Sequence, residues 1–300
     1  MTVSVPGKIM KIGGVPEHFN EPIYIGSEEK LYGGRNVDFV TVNGGTGAML
    51  SHLYEGKIDV AIALTECLVA EIEKGGDLQL LGNYVTSPLV WGISTGADVK
   101  LSVDDLEGKV FGISRYGSGS HVMAYVLAAQ RGWAAKPTFK VCNDFATLRE
   151  EVQSGGIDAF LWETFTTKPY EDRGEVSIIG GIPTPWPCFS MVAKREYINS
   201  NVDDLKTIIN GLRQACTSFK TNEEKSIARV CKKHLLTLED AKIWFDGVVY
   251  TKSNAMSRAN LENTRAILVE ASVLPPSCVD PENKRDVESY ISTLVSELVE

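Results

Sequence analysis

Two stretches of this chain repeat one another in kind and in order. Gly56-Lys57-Ile58-Asp59 leads into an apolar run, residues 60–64, and Gly155-Gly156-Ile157-Asp158 leads into residues 159–161. A helical pattern precedes each, and a glutamate beside a threonine follows each: Thr65-Glu66 in the first and Glu163-Thr164 in the second. The correspondence extends outward. Residues 8–13 match 109–114 as first strands, and residues 37–42 match 139–142 as second strands. The helix over residues 48–54 matches the helix through Phe145, Leu148 and Val152. Near-continuous apolar strands alternating with helices predict parallel strands covered on both faces. Two such series in one chain predict two α/β lobes. So short a motif recurs by chance, but its fixed place among strands and helices favours duplication.

A length of 300 residues suits two modest domains or one large α/β unit. Net charge is −9 with no basic cluster, which argues against nucleic acid and acidic membrane surfaces as partners. Any anionic ligand must then be held by local dipoles. The six cysteines stand singly, as reduced structural thiols do, with no metal-ligand spacing. No phosphate-binding Gly-x-x-x-x-Gly-Lys run and no Ser–His–Asp order is present, so no cofactor, metal or catalytic residue is assigned. No apolar run spans a bilayer, so membrane insertion is not expected. The first residues, Met1-Thr-Val-Ser-Val-Pro-Gly-Lys8, lack a charged region followed by an apolar one, and the expectation is a cytoplasmic protein.

Between the repeats, residues 78–85 and 89–94 read as strands around Thr86-Ser87-Pro88. Alternate prolines in Ile182-Pro183-Thr184-Pro185-Trp186-Pro187 hold the chain extended, which suits a crossing between lobes. Residues 189–194 are expected to return beside 89–94, the two forming a hinge. Asn20 is a candidate N-cap for a helix running to Gly33-Gly34. The remainder reads as helical and is expected to pack on the first lobe. It has capping boxes at Thr221 and Thr237 and amphipathic helices over residues 261–272 and 286–299.

In open α/β sheets ligands lie beyond the carboxyl ends of the strands. One such end is Gly117-Ser118-Gly119-Ser120-His121, a tight loop opening a helix. Ser118, Gly119 and Ser120 are expected to receive an anionic group at the positive end of that helix, with His121 beside it. A plain capped turn is the simpler alternative. Gly45 and Thr46 offer a second set of donors, or only a tight turn. Glu66 and Glu163, at equivalent positions, would accept an amine or ring N–H, or else complement their helix dipoles. Trp162 would stack on a flat ligand. Thr65, His18, Phe19 and Trp186 complete the candidate set; each aromatic, taken singly, is equally a packing residue.

Asp104-Asp105-Leu106-Glu107-Gly108-Lys109-Val110-Phe111-Gly112, the two Gly-x-Ile-Asp copies and Leu161-Trp162-Glu163 resemble the type II periplasmic-binding-protein superfamily. The branch they are similar to holds bacterial sulfonate, taurine and nitrate binders and the thiamin-pyrimidine precursor proteins. The resemblance implies two Rossmann-like lobes with mixed, mostly parallel sheets, a two-strand hinge and a helical C-terminal tail. Lobe 1 would be residues 1–90 with 190–300, and lobe 2 residues 91–189, with the ligand between them. It supports the Ser118–His121 loop, Thr46, Thr65-Glu66 and Trp162-Glu163 as ligand contacts. Exported members carry a leader, so its absence here argues against a permease partner and for a cytosolic relative, such as a fungal one. The fungal thiamin-pyrimidine synthases carry a dense cysteine run that this chain lacks. The expected function is non-enzymatic binding of a small anionic or zwitterionic molecule: a sulfonate, carboxylate, phosphate or pyrimidine precursor. The alternative is an enzyme of thiamin-pyrimidine or related cofactor biosynthesis on the same fold, using His18 or His121.

Overall fold

The computed structural model describes residues 9–300. The first series comprises β1 (Met10–Gly14), α1 (Glu21–Glu28), β2 (Val37–Thr41), α2 (Gly45–Tyr54), β3 (Val60–Leu64), α3 (Thr65–Glu73) and β4 (Leu78–Val85). The second comprises β5 (Val90–Gly96), β6 (Val110–Ile113), α4 (Gly119–Arg131), β7 (Thr138–Val141), α5 (Phe145–Gln153), β8 (Ala159–Glu163), α6 (Thr164–Glu171) and β9 (Val176–Pro183). β10 (Phe189–Lys194) follows, then α7 (Arg195–Ser200), α8 (Val202–Thr221), α9 (Glu223–His234), α10 (Leu238–Gly247), β11 (Ala255–Ser257), α11 (Arg258–Glu270) and β12 (Glu297–Val299). The expected start of β1 at Lys8 lies outside the described residues.

The two large sheets have the same plan: β2-β1-β3-β10-β4 in one and β7-β6-β8-β5-β9 in the other. In each, one strand, β10 or β5, is antiparallel to both neighbours, and the others run in a common direction. Both sheets are therefore mixed and mostly parallel. Residues 89–94 and 189–194 do not pair, contrary to expectation, because β5 and β10 belong to different sheets. The crossings lie just before them, at residues 86–89 and 184–188. There Thr184 N donates to Leu89 O (2.9 Å), Leu89 N to Thr184 Oγ1 (3.1 Å) and Cys188 N to Ser87 O (3.3 Å).

The repeated motif has a physical explanation. Gly56 and Gly155 adopt left-handed φ values of 68° and 74°, which turn the chain out of α2 and α5. Asp59 N then donates to Lys11 O while its Oδ2 accepts from Lys11 N (2.8 Å); Asp158 does the same with Val110, also at 2.8 Å. Each aspartate thus extends its β-ladder by one side-chain bond. Ile58 and Ile157 press onto Gly13 and Gly112, where a Cβ would stand 2.4 and 2.3 Å from the isoleucine Cδ1. Glycine in the first strand and isoleucine in the motif are therefore one packing unit, made twice.

The tail packs α8 on α1 and α11 on α3, while α10 touches α6 and α11 touches α4, so it reaches both sheets. Four readings need correction. α1 ends at Glu28 rather than near Gly33, because Lys30 turns left-handed (φ 58°) and brings Tyr32 under Gly26, its hydroxyl bonding Ile23 O at 2.9 Å. Residues 286–299 form a short 3-10 turn (Val287–Tyr290) and β12, not a helix. Their apolar spacing serves a chain pulled onto β4, with Ser292 N donating to Leu80 O (2.9 Å) and Gln79 Nε2 to Ile291 O (2.9 Å). Buried Arg265 clamps the same segment through Arg285 O (2.5 Å) and Tyr290 Oη (3.2 Å). Of the proposed caps, Thr237 accepts from Asp240 N, but Asn20 instead donates to Val15 O, and Thr221 is the last residue of α8.

Because each aspartate supplies one charge-assisted backbone bond, Asp59→Ala and Asp158→Ala are each expected to lower unfolding free energy by about 1–2 kcal/mol. Urea denaturation measures this, and a negligible loss from either substitution would break the equivalence.

Candidate functional site

The carboxyl ends of the parallel strands converge on one cavity of about 220 Å³. From the first sheet come Val15–Glu17 after β1, Asn43–Thr46 after β2 and Leu64 at the end of β3. The second sheet supplies Ser114, Arg115 and Ser118–Ser120 after β6, Asn143–Phe145 after β7 and Trp162-Glu163 at the end of β8. Trp91, Met49, Leu89 and Phe189 supply apolar wall. Trp162 stacks on Phe145 with ring centroids 5.0 Å apart and planes at 17°.

Four helices therefore begin at the cavity, and they are not capped alike. Asp144 accepts from Thr147 N (2.8 Å) at the start of α5, and Glu163 accepts from Thr166 N (2.5 Å) at the start of α6. Those two starts carry their own carboxylates. α2 opens on Gly44, which has no side chain to offer, and α4 on the neutral hydroxyl of Ser118. The backbone N–H groups of Gly45, Thr46 and Ser120 find no carbonyl partner among the described residues, and that of Gly119 meets the Cys67 sulfur instead. Both hydroxyls of the serine loop are already used: Ser118 Oγ donates to Arg115 O (2.7 Å), and Ser120 Oγ accepts from Ser114 N (3.2 Å) and pairs with Ser118 Oγ (2.9 Å). Recognition at this loop falls to the backbone.

Arg115 adds a full positive charge to these two helix starts. Its guanidinium lies flat over Gly47 in the first turn of α2, where a Cβ would stand 2.9 Å from Cζ. Every other arginine of the described residues donates a side-chain hydrogen bond, whereas Arg115 donates none. The same cavity also carries Glu17 and Glu163. Burial pushes the Glu163 carboxyl up to about 7, against the opposing bonds from Thr166, and burial followed by Glu163 pushes Glu17 up to about 8.

Of the sequence-predicted residues, Gly45, Thr46, Ser118, Gly119, Ser120, Trp162 and Glu163 line this cavity. The other candidates stand behind it. His121 is buried, accepts from Gly117 N through Nδ1 (3.2 Å) and packs edge-on against Phe139; burial holds its pKa down at about 4. Thr65 Oγ1 pairs with Ser190 Oγ (2.9 Å). Buried Glu66 accepts from Trp186 Nε1 (2.9 Å), so this pair fastens a crossing segment to α3, and desolvation lifts its carboxyl to about 7. Phe19 packs against Phe189 and Trp244. His18 is buried beside it, with Nε2 unpartnered and 3.9 Å from Glu163 Oε2. Sequence reasoning passed over Arg115 and Asn143-Asp144-Phe145. The repeat marks the latter, since they follow β7 as Gly44-Gly45 follow β2. Arg115 was marked only as a lone cation beside a helix start in an acidic chain.

A family model described as Ca3427-like PBP matches residues 91–182. The solved structure of the Candida albicans CA3427 gene product, described as defining a family with the generic periplasmic binding protein fold, aligns with a TM-score of 0.88 and 30% identity. That alignment covers 98% of this chain and 99% of that one. The chain belongs to the CA3427-like family. More distant members of the fold include the alkanesulfonate-binding protein SsuA of Xanthomonas axonopodis pv. citri bound to MOPS, with a TM-score of 0.74, 17% identity and coverage of 91% and 96%. The periplasmic nitrate-binding protein NrtA of Synechocystis PCC 6803 aligns with a TM-score of 0.71, 14% identity and coverage of 96% and 86%. No curated protein matches the sequence. Among the described residues no helix is long and apolar enough to cross a membrane.

The buried carboxyls give this CA3427-like chain a testable pH dependence. An acid whose folded pKa is raised binds its proton more tightly in the folded state. Its contribution to stability is complete below the unfolded value near 4.3 and is lost as pH rises through the folded value. With Glu163 and Glu66 near 7 and Glu17 near 8, the melting temperature should fall between about pH 6.5 and 8.5, above the range in which buried His18 and His121 titrate. Glu17→Gln and Glu163→Gln should each flatten the fall in a thermal-melt series; an unchanged slope in both would rule these carboxyls out as its source.

Proposed function

We propose that this protein is a non-enzymatic binder of a small zwitterion or amine-bearing anion, held between the two sheets. The observation that supports it is an imbalance of charge. The positive ends of α2 and α4 and the unpaired guanidinium of Arg115 meet at one cavity, none of them bonded to a carboxylate, in a chain of net charge −9. Like charges so placed repel until an acid group lies between them. Glu17 and Glu163 in the same lining accept N–H donors, and ligation by an ammonium group stabilises their ionised forms. Trp162, Trp91 and Phe145 cover the ligand's apolar middle.

The bodies that close are residues 9–85 with 189–300 and residues 90–183, bending at 86–89 and 184–188. SsuA is an alkanesulfonate-binding protein and NrtA a nitrate-binding one, which favours an oxyanion as the acid group here.

Isothermal titration with 3-aminopropanesulfonate and propanesulfonate tests the reading. Affinity for the amine-bearing ligand should rise between about pH 6.5 and 8 as Glu163 and Glu17 ionise, whereas affinity for the simple sulfonate should fall. Arg115→Gln should weaken both by about tenfold or more, the worth of a charge-assisted hydrogen bond. Binding that ignores both pH and Arg115 would overturn the assignment.

A further inference from the structure

Arg115 faces two compartments. Beyond the cavity it lines a second pocket of about 320 Å³ with Ser51 and Tyr54 of α2, Glu71 of α3, Lys74 at the end of α3, and Tyr116. The walls come from both sheets, since α2 and α3 lie on the first and the Arg115-Tyr116 loop leaves the second. The pocket therefore stands at the mouth of the cleft, with Arg115 as its shared wall.

Its charge is unbalanced in the same sense as that of the cavity. Lys74, like Arg115, makes no ion pair and no side-chain hydrogen bond among the described residues. Both cations line the one pocket, whose wall also carries the Cys67 thiol. The one carboxylate in the lining, Glu71, already accepts from Tyr54 Oη at 2.7 Å. Two cations without an ion-pair partner line one pocket that holds a single carboxylate, which makes this a second place where an anion would relieve repulsion.

We infer that the pocket binds an oxyanion between Arg115 and Lys74, supplied either as a free divalent ion or as the second acid group of a longer cleft ligand. Only the second source rests on the function proposed above. Lys74 is exposed, so Lys74→Gln should leave the fold intact and isolate the pocket.

The test is a titration of the full chain with inorganic phosphate against chloride of equal ionic strength, with and without saturating 3-aminopropanesulfonate. A parallel series compares alkane-α,ω-disulfonates with the matching monosulfonates. If the ion is free, phosphate and the aminosulfonate should bind together. Lys74→Gln should then weaken phosphate about fivefold, the scale of a partly exposed ion pair, and leave the aminosulfonate unchanged. If it is a ligand's second group, a disulfonate should outbind its monosulfonate, and Lys74→Gln should erase the difference. Phosphate that protects no better than chloride, in a protein whose disulfonate binding ignores Lys74, would overturn the inference. Phosphate that competes with the aminosulfonate and ignores Lys74 would overturn it too, while leaving the proposed function standing. Lys74-sensitive phosphate binding without any sulfonate binding would instead sink the proposed function and uphold this site.

Discussion

Each large sheet takes its one antiparallel strand from across a crossing, and this exchange governs the arrangement of everything else. β4 leaves the first sheet, four residues carry the chain over, and β5 joins the second. β9 leaves the second, five residues return it, and β10 joins the first. The two crossings bond to each other at Leu89 and Thr184. Short crossings of this kind leave the sheets little freedom except to turn their strand ends toward one another. The parallel-strand ends of both sheets then meet in one cavity, and four helices begin at its wall.

That convergence has an electrostatic consequence. A helix start exposes unpaired N–H groups, and proteins commonly cover them with a carboxylate or hydroxyl. α5 and α6 follow that practice with Asp144 and Glu163. At α2 and α4 the N–H groups of Gly45, Thr46 and Ser120 are left unmatched, and Arg115 is laid over Gly47 at the same place. The cavity thus holds both unmatched donors and carboxyls that burial keeps partly protonated. A ligand carrying an acid and an amine answers both, and binding would release protons from Glu17 or Glu163 where they were held.

Much of the fold was legible because the duplication is written in residue types with separate physical duties. The glycine turns the chain, the isoleucine fills the space left by a glycine in the first strand, and the aspartate bonds the ladder. The pairing of β5 and β10 was misread because two apolar strands that flank a hinge look alike whether they share a sheet or not. The C-terminal segment was misread because apolar residues at helical spacing are equally served by a 3-10 turn followed by an extended chain; the decisive partners, Leu80 and Gln79, lie far away in sequence. At the site, backbone donors and Glu163 were legible from their place at strand ends. Thr65, Glu66 and Trp186 occupy such places as well, yet their partners are each other and β10. Arg115 was the hardest to see, since a cation is marked by the bond it lacks, and a sequence does not show that.

An acid group belongs among α2, α4 and Arg115, and an amine beside Glu17 and Glu163. A crystal structure of the protein with a bound aminoalkanesulfonate tests it most directly. Sulfonate oxygens should lie within hydrogen-bond reach of the Gly45, Thr46 and Ser120 amides and the Arg115 guanidinium, with the amine on the two glutamates. A ligand bound in the reverse sense, or one lying outside this cavity, would contradict it.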